Sequence, residues 1–225
     1  MLRVRDRNRG IFVAGLLITF EGPDGAGKTS ALTELVPRLR QIARQPLIVT
    51  REPGGNPISE AIRRIILDPA NTAMDKRTEA LLYAAARRQH IIEKIRPALA
   101  ADKIVLCDRF VDSSLAYQGA GREIGVTAVA QMNEFATESL TPDLTLYLDV
   151  PSELGLQRIA AHRQSQNDRL DQEALSFHQK VRGEYLTLAK QYPQRIKTVD
   201  ATQPLEQVIT ACQALITATY GEWFD

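Results

Sequence analysis

The chain has 225 residues, 44% of them hydrophobic and 24% charged, with 28 Lys and Arg against 27 Asp and Glu for a formal net charge of +1. That composition suits one large α/β domain with a full core, and no apolar run approaches the length needed to cross a bilayer. Arg3, Arg5, Arg7 and Arg9 against Asp6 give the first nine residues +3 and leave the remainder at −2, so the folded body shows no nucleic-acid footprint.

The first 13 residues carry this charge without the apolar region of a secretory signal, and are expected to form a disordered extension. The cellular chain is expected to begin near Val13, with a single domain over 14–225. The first predicted strand, 16–20, is apolar and runs straight into Gly22-Pro23-Asp24-Gly25-Ala26-Gly27-Lys28-Thr29, which fits G-x-x-x-x-G-K-[ST]. Between a strand and a helix, this pattern turns successive backbone N–H groups inward around phosphate oxygens. Lys28 then adds a point charge toward the β/γ-phosphates, and the Thr29 hydroxyl is placed for Mg²⁺. The loop from Gly22 to Ser30 is therefore a polyphosphate site. The helix that follows, 28–44, has apolar residues at Leu32, Leu35, Leu39 and Ile42 and contains Pro37, where a kink or break is expected.

A second strand at 47–50 leads into Thr50-Arg51-Glu52-Pro53-Gly54-Gly55. Read alone, this is a surface Arg-Glu ion pair and a plain turn; on the ligand edge of a sheet, Arg51 is also a candidate to grip a phosphate bidentately. Helices are predicted at 58–68 and 77–100. Within the latter, Tyr83 and Arg87 are four apart and share a face, suiting either a core aromatic beside a solvated charge or a stacking ring beside a base-edge donor. The third strand, 104–107, ends in Asp108-Arg109. An acid there is the usual second anchor for Mg²⁺ beside a phosphate loop. Arginine rather than a second acid at the next position suits holding a phosphorylated substrate better than activating water, although an edge Asp-Arg ion pair is the simpler alternative.

Further helices are predicted at 126–139, 152–163, 172–191 and 205–219, with strands at 144–150 and 196–199. Arg158, Arg163 and Arg169 surround a polar stretch, about 155–170, that reads either as a lid closing over phosphates or as a solvated charged helix. Five strands alternating with helices imply a five-stranded parallel sheet covered on both faces, with ligands at the carboxyl ends of the strands. Cys107 and Cys212 lack metal-type or redox spacing and read as buried small hydrophobes in a reducing cytoplasm.

Taken in order, F-E-G-P-D-G-A-G-K-T at 20–29, T-R-E-P-G-G at 50–55, T-E-A-L-L-Y-A-A-A-R at 78–87, C-D-R-F-V-D-S-S-L-A-Y-Q-G-A-G-R at 107–122 and P-D-L-T-L-Y-L-D-V at 142–150 closely resemble the bacterial thymidylate kinase family. The resemblance implies a P-loop nucleoside monophosphate kinase that passes the γ-phosphate of ATP to dTMP with Mg²⁺, in dTTP biosynthesis, as a cytoplasmic homodimer. It places Lys28 and Thr29 at ATP and Mg²⁺, with Asp108 as the second metal anchor, and Asp24 near the acceptor sugar. It puts Arg51 and Arg109 on the dTMP phosphate, Tyr83 on thymine where the family usually has Phe, Arg87 at a base edge, and Ser114 and Gln118 along base and deoxyribose. Some members carry a transition-state arginine in the phosphate loop. Here that loop has no basic residue before Lys28, so the lid, through Arg158, Arg163 or Arg169, must supply it. The alternatives are another nucleoside monophosphate or deoxynucleoside kinase, or a P-loop regulator that binds without transferring phosphate. The absence of N-K-x-D or T-K-x-D disfavours a guanine switch.

Overall fold

The computed structural model describes residues 15–162 and 173–225. Five strands, β1 (Leu16–Glu21), β2 (Leu47–Arg51), β3 (Ile104–Asp108), β4 (Leu144–Asp149) and β5 (Ile196–Asp200), form one parallel sheet in the order β2-β3-β1-β4-β5. Every residue of β1 is buried, as a central strand covered on both faces requires. From β1 the chain goes to one side for β2 and β3, then crosses over for β4 and β5, which opens a crevice at the carboxyl ends of the strands. Register fixes what meets there: Phe20 pairs with Asp108, and Arg51 pairs with Asp108 from the other side.

Helix α1 (Lys28–Ile42) begins directly on the phosphate loop and buries Ala31, Leu32, Leu35 and Leu39 against the sheet. It runs through Pro37 as one helix, so of the expected kink or break there is no break. Helix α2 (Pro57–Leu67) is capped by Asn56, whose side chain accepts from the Ser59 N–H at 2.8 Å, with Pro57 at the first helical position. Helix α3 (Lys76–His90), capped by Asp75, continues through a π-helical turn (Ile91–Ile95) into α4 (Arg96–Ala100), so the predicted 77–100 helix is real but changes pitch midway.

After β3, a short α5 (Val111–Ser114) passes into a π-helical segment (Leu115–Gly121), an element that the apolar spacing did not reveal. Helices α6 (Val126–Thr137), α7 (Ser152–His162), α8 (Leu175–Gln191) and α9 (Leu205–Thr219) complete the described elements. One core cluster fills the space between the sheet and α1 and α9, and a second joins the 115–121 segment to α8 through Tyr117, Phe177, Val181 and Tyr185. Cys107 and Cys212 are buried and unpaired, as expected. No helix among the described residues is long and apolar enough to cross a membrane. Residues 1–13, Arg163 and Arg169 lie outside the described residues, as does much of the expected lid.

Candidate active site

A cavity of about 580 Å³ opens at the carboxyl ends of the strands, lined by the phosphate loop, Arg51, Tyr83, Arg87, Asp108, Arg109, Ser114, Gln118 and Arg158. Segments more than a hundred residues apart in sequence thus meet in one crevice. On its phosphate side, the loop is braced from behind by α7. Gly25 adopts φ +77°, and a Cβ there would sit 2.1 Å from the Gly155 carbonyl oxygen; a Cβ at Gly155 would sit 2.6 Å from that of Asp24. Backbone packs on backbone, so neither position has room for a side chain. Arg158, one turn further along α7, donates to the Ala201 carbonyl at 2.9 Å and reaches toward that of Gly25.

Lys28 is buried, and its ammonium donates to the carbonyls of Gly22 and Pro23, each at 2.9 Å. Burial, with the Arg109 charge beside it, pulls its pKa down to about 8. Thr29 donates its hydroxyl to Asp108 Oδ2 at 3.3 Å, and Asp108 Oδ1 is buried without a hydrogen-bond partner. An orphaned carboxylate oxygen beside a hydroxyl is an oxygen-donor set that fits Mg²⁺, which takes one or two carboxylates plus substrate phosphates.

Arg109 does not pair with its neighbour Asp108. It adopts φ +66°, a region that non-glycine residues rarely enter, and swings its guanidinium across the crevice. There Nη2 meets Asp24 Oδ1 at 2.5 Å, and Nη1 donates to the Gly22 carbonyl at 3.0 Å and the Ser113 hydroxyl at 3.1 Å. The Tyr117 ring lies beneath it, 5.0 Å from its Cζ, and the Tyr117 hydroxyl donates to Asp24 Oδ2 at 2.8 Å. Burial alone would raise the Asp24 pKa, but Arg109 and Lys28 overcome this and hold it at about 2. Asp24 is thereby a fixed anion that aims Arg109.

Behind Arg109 sits Glu21, fully buried at the end of β1. Its carboxylate accepts from the Phe110 N–H at 2.6 Å, the Ser113 hydroxyl at 2.5 Å and the Tyr185 hydroxyl at 3.0 Å. Burial, with Asp112 as a second cause, pushes its pKa up to about 7.

The other wall is a closed polar network. Arg87 is 2% exposed rather than solvated. It donates Nε–H to Glu52 Oε2 at 2.7 Å, Nη1–H to the Ser114 hydroxyl at 3.0 Å and to Asn133 Oδ1, and Nη2–H to the Phe110 carbonyl at 3.0 Å. These contacts use four of its five N–H groups. Glu52 also accepts from His90 Nδ1 at 2.9 Å, and His90 Nε2 is hydrogen-bonded to the Thr50 hydroxyl at 2.7 Å.

Hence Arg51 and Glu52 are no surface pair. Just past the end of β2, Glu52 is buried against Arg87 and His90, whereas Arg51 on the cavity pairs with Glu60 Oε1 at 2.9 Å. Tyr83 is half-buried at the cavity rim, and Gln118 donates to the buried Glu79 at 2.9 Å.

Every sequence-predicted site residue within the described residues therefore lines this one cavity or, like Gly22 and Pro23, belongs to the loop forming it. Glu21, Glu52, Glu79, His90, Ser113 and Tyr117 escaped the sequence reading. Glu21 carries one usable signal, an acid closing an otherwise apolar strand just before a Gly-rich turn. Ser113 and Tyr117 carry another, the four-residue spacing of an unrecognised helical segment.

The family model for thymidylate kinase matches residues 20–211. Over 204 residues, covering 91% of this chain and 95% of the relative, the sequence is 74% identical to the thymidylate kinase of Latilactobacillus sakei subsp. sakei strain 23K. It is 63% identical over 214 residues, 95% and 100% of the two chains, to that of Lacticaseibacillus casei strain BL23. Against the thymidylate kinase of Enterococcus faecalis strain V583 it is 61% identical over 210 residues, covering 93% and 99%.

Proposed function

Because the chain belongs to the thymidylate kinase family, we propose that its cavity holds ATP and dTMP end to end and transfers the γ-phosphoryl group between them. The observation that carries this is the reach of Arg109 from the end of β3 onto Asp24 of the phosphate loop, within the cavity that also holds Tyr83, Arg87 and Gln118. A guanidinium between a polyphosphate loop and an aromatic, hydrogen-bonding wall sits where an acceptor's own phosphate faces the donor.

The acceptor oxygen needs no strong base, since a phosphate monoester with a second pKa of about 6 is mostly dianionic near neutral pH. Asp24, held at about 2, is far too weak a base for that task in any case. The barrier lies in bringing two anions together. Lys28 exchanges its carbonyl partners for phosphate oxygens, Arg109 and Arg51 hold the acceptor phosphate, and Arg158, with Arg163 or Arg169, supplies positive charge to the transferred group. Thr29 and Asp108 would hold Mg²⁺, which when bound offsets charge on the β- and γ-oxygens. On the other wall, Tyr83 stacks on the base while Arg87 and Gln118 read its edge and Ser114 lines the sugar side.

The family resemblance points to a homodimer, which we place on α2, α3 and α6. These pack side by side and leave Ile58, Leu81 and Phe135 exposed, the last by 87%. Two buried, unpaired cysteines favour a reducing cytoplasm. A coupled ADP-release assay with dTMP, dUMP, dGMP, dCMP and AMP tests the function. ADP formation is expected to depend on dTMP, with weaker use of dUMP, since one methyl is worth about 1 to 3 kcal/mol. ADP release independent of every acceptor would overturn the proposal.

A further inference from the structure

Glu79 is fully buried near the start of α3 and has no part in the chemistry above. It shares a four-residue spacing with Tyr83 and Arg87, so the three lie along one face of the helix. Its carboxylate receives two cationic or amide donors from the segment after β3. Gln118 Nε2 donates to Oε1 at 2.9 Å, and the Arg122 guanidinium pairs with it through Nε at 3.2 to 3.3 Å and Nη2 at 3.1 Å. Arg122 is itself pinned, pairing with Glu173 and lying over the Phe177 ring.

The consequence lies in the Gln118 amide. An amide side chain has a donor end and an acceptor end that differ little in shape, and rotation interchanges them. A carboxylate ion-paired to a guanidinium accepts only, so the NH₂ end of Gln118 must face Glu79. The carbonyl end is then the one left to the cavity that Gln118 lines. Arg87 contacts Ser114, about one helical turn before Gln118, and its fifth N–H is uncommitted among the described residues. Arg87 and Gln118 both line the cavity, which is thus offered a donor from one and an acceptor from the other. A pyrimidine with N3–H next to a C4 carbonyl complements that order, whereas cytosine, with a bare N3 and a C4 amino group, sets acceptor against acceptor and donor against donor.

We infer that Glu79 is a positioning residue for base specificity, locking the Gln118 amide in the orientation that selects keto-pyrimidine nucleotides over cytosine nucleotides. The inference rests on the base-wall assignment proposed above. A site built to pair polar groups rejects the mismatched ligand by about 10⁴-fold or more, and that discrimination is what Glu79 protects.

The test measures kcat and KM for dTMP and dCMP in wild type, Gln118→Ala, Glu79→Gln and Glu79→Asp. Glu79→Gln offers an amide partner that tolerates either orientation of Gln118. The dTMP-to-dCMP ratio of kcat/KM is expected to fall by at least tenfold, mainly through a higher KM for dTMP, and Glu79→Asp is expected to restore most of it. If Gln118→Ala lowers the ratio but Glu79→Gln slows both substrates by one factor, the Glu79 inference is overturned while the base wall stands. A ratio unmoved by Gln118→Ala overturns the base-wall assignment and the inference with it. Should Glu79→Gln not fold, the double variant Glu79→Gln/Gln118→Glu carries the test. It reverses donor and acceptor between the two side chains yet again leaves an acceptor toward the cavity. Selectivity within about threefold of wild type supports the inference, and loss of selectivity in the folded double variant overturns it.

Discussion

The two walls of the cavity are built on opposite principles. Around Arg87, the buried polar groups have found partners within the protein: Glu52, His90, Thr50, Ser114 and Asn133 are joined to it or to one another by direct hydrogen bonds. Across the crevice, the phosphate side is left unsettled. Lys28 is an ammonium pulled down to about pH 8 by burial, and Asp108 keeps a buried oxygen without a partner. A neutral, flat base is best met by donors already fixed in place, because their ordering cost falls on folding rather than on binding. A polyphosphate with its cation brings its own charge, so a site for it is least stable when empty. The base wall thus contributes to folding, whereas the phosphate wall costs stability that binding returns.

Removing one partner from the closed wall should have the largest effect. Arg87→Ala leaves Glu52 as an uncompensated buried charge and is expected to destabilise the fold by about 3 to 5 kcal/mol, read as a lower midpoint in urea unfolding. On the phosphate side, Lys28→Met is expected to lower kcat by about 10² to 10³-fold, the scale for loss of one preorganised charge. Its unfolding midpoint at neutral pH should stay level or rise, because a buried ammonium disfavoured by its surroundings is gone. A fall comparable to that of Arg87→Ala would erase the contrast between the walls.

A smaller change is expected for Arg158→Ala, with kcat down by roughly 10 to 100-fold and KM for dTMP moved much less, since the side chain approaches the loop rather than the base wall. Equal changes in both parameters would argue against a role confined to the transferred group. A pH-dependent effect on stability is expected of Glu21, whose pKa is raised from its ordinary value to about 7. Between about pH 4.5 and 7 the folded state holds a proton that the unfolded chain has released, so this group's stabilisation falls as pH rises through that window. Glu21→Gln should flatten that part of the stability profile, measured by urea midpoints at about pH 5 and pH 7.5. A profile unchanged in slope would place the titration elsewhere.

What was legible in the sequence follows the same division. The phosphate loop works through backbone geometry, which Gly22, Gly25, Gly27, Lys28 and Thr29 spell out locally, and the five apolar strands were visible because a parallel sheet buries both faces of each. The closed wall was much less so. Arg87 and Glu52 are 35 residues apart, and nothing near either shows that they meet in the dry interior. Arg51 and Glu52 look like a pair because they are adjacent, although each finds another partner, Glu60 for Arg51 and the buried Arg87 for Glu52. The helical segment after β3 was missed because its turns pass from a short α5 into π-helix, breaking the 3.6-residue period by which helices are recognised. Pro37 does not end α1, and Leu35 and Leu39 on either side of it are both buried in the core.

Amide hydrogen exchange, with and without dTMP plus a non-hydrolysable ATP analogue, tests the contrast between the walls most directly. Residues 22–30 are expected to gain strong protection on ligand binding, while the segments around Arg87 and Ser114 are already protected and change little. Equal gains on both walls, or protection confined to the base wall, would contradict the account.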